Sequence, residues 1–138
     1  MIREIVTDKQ ILTQKSERFV IGQDEHLITD MLDTANAHKE RCVGLACIQI
    51  GVPKRVILVK QGDTFVPYIN PIIIHKSITT YTAKEECLSL KGQRSVRRHH
   101  LIKLMYTDKN GRSRSKIFEG FPAQIIQHEC DHLNGVLI

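Results

Sequence analysis

Tryptophan is absent, and 3 tyrosines and 4 phenylalanines are the only aromatic residues among 138. None of them falls in the basic stretch Arg94–His100 or in Lys109–Lys116, so neither stretch offers a base-stacking platform for nucleic acid. Both are expected to be solvated surface, and no specific nucleic-acid partner is expected. Long hydrophobic runs are missing too. The longest purely apolar ones, Val56-Ile57-Leu58-Val59 and Ile72-Ile73-Ile74, fall far short of a membrane span. The first residues, Met1 to Asp8, lack the apolar stretch of a secretory signal. The expectation is a cytoplasmic protein with no membrane partner. No Cys-x-x-Cys pair occurs among Cys42, Cys47, Cys87 and Cys130, which excludes a zinc ribbon or a thioredoxin-type motif. Without an export signal the four cysteines read as reduced thiols. Charge of one sign is in small excess: 20 Lys+Arg against 15 Asp+Glu leave +5. That surplus permits a loose affinity for a ribosomal surface without demanding one.

What is present suits one globular domain spanning residues 1–138, with 41% hydrophobic residues and no repeat, linker or composition break. Leu27, Ile28, Met31, Leu32 and Ala35 make one apolar stripe, which predicts a helix from about Asp24 to Lys39. Val43-Gly44-Leu45-Ala46 suits a backbone packed closely against something. From Arg55 to Phe118 the pattern predicts strands: Arg55–Lys60, Thr64–Ile69, Ile69–His75, Leu101–Thr107 and Ser113–Phe118. Asp108-Lys109-Asn110-Gly111 reads as a tight hairpin between the last two. Pro122 opens a last helix that closes near Asn134-Gly135. The fold class is α+β, a mostly antiparallel sheet with an early helix and a C-terminal helix.

That last helix carries His128-Glu129-Cys130-Asp131-His132. At 100° per residue the two histidines lie about 40° apart, one turn displaced, so both imidazoles reach one metal ion. Glu129 stands beside them to handle a proton. Cys130 points roughly 160–200° away and reads as a small core residue. A hydrolytic site needs a third protein ligand and an open position. Only six residues follow His132, and the metzincin extension would need His at 138, where Ile stands. The third ligand is therefore expected upstream, from Cys87, Cys42, Cys47, His75, His99, His100 or a carboxylate such as Glu85 or Glu86.

Three motifs in order resemble those of the peptide deformylase family: Cys42-Val43-Gly44-Leu45-Ala46-Cys47-Ile48-Gln49, Glu85-Glu86-Cys87-Leu88-Ser89 and Gln127-His128-Glu129-Cys130-Asp131-His132. The resemblance covers nearly the whole chain. It implies removal of the formyl group from formyl-methionine at the N-terminus of new polypeptides, with release of formate. It also implies one divalent metal ion held by Cys87, His128 and His132, with Fe²⁺ expected and Zn²⁺, Ni²⁺ or Co²⁺ able to take the place. Glu129 would be the proton carrier, and the Gln49 amide and the Leu88 backbone N–H the oxyanion donors. Formyl-methionyl nascent peptides are the implied substrates. Gly44 and Val43 would lie along the bound peptide, and Arg94 would help to hold it. An apolar pocket for the methionine side chain is expected near Val43, Leu88 and the late helix.

The chain departs from the family pattern at Glu86, where the pattern has Gly, and at Cys42 and Cys47, in place of Gly and Ala. The short tail resembles the compact deformylase-like paralogues of some Gram-positive bacteria. Glu86 brings a negative charge to the substrate strand beside the metal cysteine. Two other readings are a deformylase-like protein of low or lost activity, binding N-terminal methionine peptides or the ribosome, and a small zinc peptidase.

Overall fold

Four apolar residues in a row without polar alternation suit a strand buried on both faces. The computed structural model, which describes residues 1–138, puts Val56–Val59 in that position, all four fully buried. They belong to β2 (Val56–Gln61), which lies between β1 (Gly44–Ala46) and β3 (Thr64–Lys76). The sheet continues through β6 (Leu101–Thr107) to β7 (Ser113–Glu119), and every strand pairing in it is antiparallel. β4 (Thr80–Glu85) and β5 (Arg94–His99) form a separate two-stranded sheet. Helices are α1 (Lys9–Leu12), α2 (Glu25–Ala37) and α3 (Gly120–Leu133).

The period of two along β2 divides the core in two. Val56 and Leu58 cluster with Leu27, Met31 and Ala35 of α2 on one face. Ile57 and Val59 cluster with Ala123, Ile126, Cys130 and Leu133 of α3 on the other. Burying each large aliphatic side chain contributes roughly 1.5–3 kcal/mol, so this central strand anchors both helices. Cys130 is a core residue, as its helical phase predicts. Cys42 and Cys47 are also buried in packing, and burial pushes the thiols of all three up to about 12.

The α+β expectation holds, with two corrections to its elements. Thr64–Ile69 and Ile69–His75 are one strand of 13 residues, not two. The pairing of β3 with β6 slips between Ile69 and Ile72, Asn70 adopts φ 48°, and Pro71 falls in the irregularity. A bulge bends a strand without ending it, and asparagine tolerates the left-handed region. The Asn70 side chain ties Phe19 to the bend, accepting from its N–H and donating to its C=O. The second correction concerns Arg94–His100. That stretch is largely strand β5, paired with a strand, Thr80–Glu85, that weak hydrophobic alternation concealed. Its Arg98 is buried, only 4% exposed, and not solvated.

Candidate active site

Five of the six residues from Gln127 to His132 on α3 are buried, and all of those except Cys130 are strongly polar. Buried polar groups require partners. Gln127 finds them by bridging α3 to β5: its Oε1 accepts from the His99 N–H and its Nε2 donates to the His99 C=O. The histidines turn the other way. His128 Nε2 and His132 Nε2 face each other at 3.2 Å, and the ligand atoms of Cys87, His128 and His132 all lie within 4.8 Å of one another.

This donor set fits a divalent cation. His128 Nδ1 lies 2.8 Å from a Glu85 carboxylate oxygen, so Nδ1–H is donated there and Nε2 is left with a lone pair. His132 Nε2 faces the same point at 3.2 Å, where either a shared proton or a cation can sit. Ligation requires neutral imidazoles. Burial, with His128 and Arg94 adding to it, pushes His132 down to about 3. Burial also pushes His128 down, but hydrogen bonds to Cys87 and Glu85 outweigh it and hold it up at about 10. In the metal-free arrangement a proton is thus favoured where a positive ion fits.

Glu85 supports the histidine from behind. Its two oxygens accept from Arg98 Nη2 at 2.6 Å and Nε at 2.9 Å, and Gln124 Nε2 adds a third bond at 3.0 Å. Arg98 Nη1 reaches back to Asp131 of α3 at 2.7 Å. Burial pushes the Glu85 carboxyl up, but Arg98 and His128 prevail and bring it down to about 2. A carboxylate behind a ligand histidine fixes its tautomer and ring orientation. The sequence reading placed Glu85 among candidate third ligands and missed Arg98. The alternation of Arg94, Val96 and Arg98 against exposed Ser95 and Arg97 was the available signal.

In front of the donors lies a cleft of about 350 Å³, lined among others by Val43, Gly44, Gln49, Glu86, Cys87, Leu88, Ile125, His128 and Glu129. Glu129 is 4% exposed, its Oε1 has no partner, and burial pushes the carboxyl up to about 7. A carboxyl with that value, with neither oxygen tied up in a hydrogen bond, accepts and returns a proton near neutrality. Gln49 is buried, not a surface amide. Its Oε1 accepts from the Ala46 N–H and its Nε2 donates to Ser89, leaving the second Nε2 hydrogen free. The Leu88 N–H has no partner within the chain. Arg94 does not line the cleft. It sits against Cys87, with Nη2 4.0 Å from Sγ and Nη1 donating to the Lys91 C=O, which puts a positive charge beside the sulfur. Of the other upstream candidates, Cys42 and Cys47 are buried in the α2 packing. His75 is exposed on β3, His99 Nδ1 contacts the Ser77 C=O, and His100 lies against Tyr81.

Gly44 explains how β1 meets α3. A Cβ there would come within 2.6 Å of Glu129 Oε2 and 2.7 Å of Ile125 Cγ2. Gly44→Ala is therefore expected to displace Glu129 and lower turnover by about 100-fold. Overpacking of this kind costs about 1–3 kcal/mol of stability. Steady-state kinetics and denaturant unfolding test both, and a variant within threefold of the parent rate would contradict the close packing.

A Cys–His–His donor set beside a buried carboxylate, on a helix laid across an antiparallel sheet, defines a mononuclear metal-dependent hydrolase. The family model for polypeptide deformylase matches residues 2–138, and the chain belongs to that family. A peptide deformylase of Clostridium beijerinckii is 45% identical over 138 residues, covering 100% of both chains. Among solved structures, the class I type b peptide deformylase of Acinetobacter baumannii bound to Met-Ala-Ser matches with a TM-score of 0.89 at 29% identity, over 99% of this chain and 97% of that one. The Thermotoga maritima peptide deformylase matches with a TM-score of 0.90 at 30% identity, over 99% and 95%.

Proposed function

We propose that this chain, as one catalytic unit, removes the N-formyl group from formyl-methionine at the start of new polypeptides, with Cys87, His128 and His132 as its metal ligands. The observation that carries this assignment is the convergence of one sulfur and two facing imidazole nitrogens on a cleft that also holds Glu129. The family works with a divalent cation, and Fe²⁺ is our assignment for it. Zn²⁺, Ni²⁺ and Co²⁺ suit the same mixed sulfur and nitrogen donors. Such an ion, when bound, supplies an activated water at neutral pH.

The remaining chemistry belongs to the protein. Glu129 takes a proton and passes it to the departing amine of methionine, completing formate release. The free Nε2 hydrogen of Gln49 and the unpartnered Leu88 N–H donate to the oxygen on which charge develops. Removing one such donor typically lowers turnover about 100- to 1,000-fold. Val43, Leu88, Ile125 and Phe121 line the cleft and form the apolar seat for the methionine side chain. Gly44, whose missing side chain makes room for Glu129, borders the cleft where the peptide backbone would run. Arg94 sets a positive charge beside the ligand sulfur. No helix is long and apolar enough to cross a membrane, and our reading places the enzyme in the cytoplasm, where formylated chains arise. The +5 net charge is compatible with a ribosomal surface as a secondary partner.

The test is formate release from a formyl-methionyl peptide by protein loaded with Fe²⁺ under anaerobic conditions. About one metal per chain is expected, with activity lost on chelation and restored by Fe²⁺ or Ni²⁺. No formate from fully loaded protein would overturn the assignment. Cleavage of unformylated peptides would point to a peptidase.

A further inference from the structure

Glu86 is an exposed carboxylate that lines the cleft one residue before Cys87, and it makes no hydrogen bond or ion pair. Its neighbour Glu85 turns inward and is fully engaged, so Glu86 is not needed to hold the site together. The other charged residues on the cleft wall outside the site are Arg41, just before β1, and Lys84, two residues earlier along β4. Neither pairs with Glu86. Arg94 sets its guanidinium 4.0 Å from the Cys87 sulfur, so Glu86 acts against a background of positive charge that the parent and its Glu86 variants share.

We propose that Glu86 is a specificity-determining residue, which makes the enzyme prefer formyl-methionyl peptides whose second residue is basic. The inference rests on the deformylase reading of the cleft. Successive α-carbons are 3.8 Å apart, so the second residue of a substrate lies within about 7 Å of the formyl carbon being attacked. Glu86 borders the cysteine at which that carbon must arrive, so its carboxylate and the second side chain share one small region. A substrate ammonium that comes within about 7 Å of the Glu86 carboxylate in a solvated cleft interacts weakly but measurably, enough for about a three- to tenfold preference at low ionic strength. The Debye length is about 8 Å at physiological salt, so the preference fades as salt rises.

The experiment compares kcat/KM for amidated formyl-Met-Lys-Ala, formyl-Met-Glu-Ala and formyl-Met-Ala-Ala, using the metal-loaded parent, Glu86→Gln and Glu86→Lys. The Lys-to-Glu ratio is expected at about 3–10 in the parent, near 1 in Glu86→Gln and below 1 in Glu86→Lys. In the parent it should fall towards 1 at high salt, a readout that needs no variant. Affinities of the metal-free protein for the products Met-Lys-Ala-amide and Met-Glu-Ala-amide give the same ranking without turnover. A parent ratio of 1, or a ratio unchanged in both variants, overturns the role of Glu86. No turnover of the alanine peptide overturns the deformylase reading itself, so the two failures are distinguishable.

Discussion

Replacing Glu129 by glutamine is expected to lower formate release by about 100- to 10,000-fold, the usual worth of a positioned proton carrier. Metal content should stay at the parent level, because Glu129 is not among the three converging donors. Thermal stability of the metal-free protein should not fall either. Glu129 is buried with one oxygen unpartnered, and burial already disfavours its charged form. Glutamine keeps the shape and removes a charge that the interior solvates poorly. Loss of activity with the metal and the fold retained separates a proton carrier from a structural group. A variant within threefold of the parent rate would remove Glu129 from the chemistry.

Glu85→Ala is expected to have the largest effect on stability. It strips Arg98, 5% exposed at its side chain, of one of two carboxylate partners and leaves His128 Nδ1 without an acceptor. Breaking a buried ion pair from one side typically costs about 3–5 kcal/mol. Loss of the carboxylate behind a ligand histidine typically weakens metal binding about 10- to 100-fold. Denaturant unfolding of the metal-free protein reads the first effect, and competition with a metal indicator reads the second. The double variant Glu85→Leu with Arg98→Met distinguishes them. Apolar replacement of both partners removes the unpaired charge, so stability should largely recover, whereas metal affinity should stay low. A loss below about 1 kcal/mol in Glu85→Ala, with unchanged metal affinity, would show that this network does not position the site.

Local patterns were legible wherever one interaction range dominated. The α2 stripe, the β6–β7 hairpin and the phase of Cys130 on α3 follow from periodicities of a few residues, which the chain cannot hide. Two strands escaped. Thr80–Glu85 carries few large apolar residues, and Arg94–His99 is mostly polar, so each is stabilised by pairing with the other and not by a hydrophobic face. The bend in β3 looked like an ending because Asn70-Pro71 has the composition of a turn. Pairing with β6 resumes beyond the slip and carries the strand through.

The sequence by itself determined that His128 and His132 share a face of α3 with Glu129 beside them, because helical spacing alone sets which side chains lie together. It also offered a few upstream candidates to join the pair, of which the resemblance implies Cys87. Only the tertiary structure decided which of them approaches the pair, since Cys87 lies 41 positions before His128. It likewise made Arg98 a buried partner of Glu85, set Arg94 beside the sulfur, and left Glu86 unpaired and exposed on the cleft wall. A charge is stable in an interior only where oppositely charged groups converge on it. Here Arg98 bonds carboxylates 13 and 33 residues away, a convergence that no local pattern encodes.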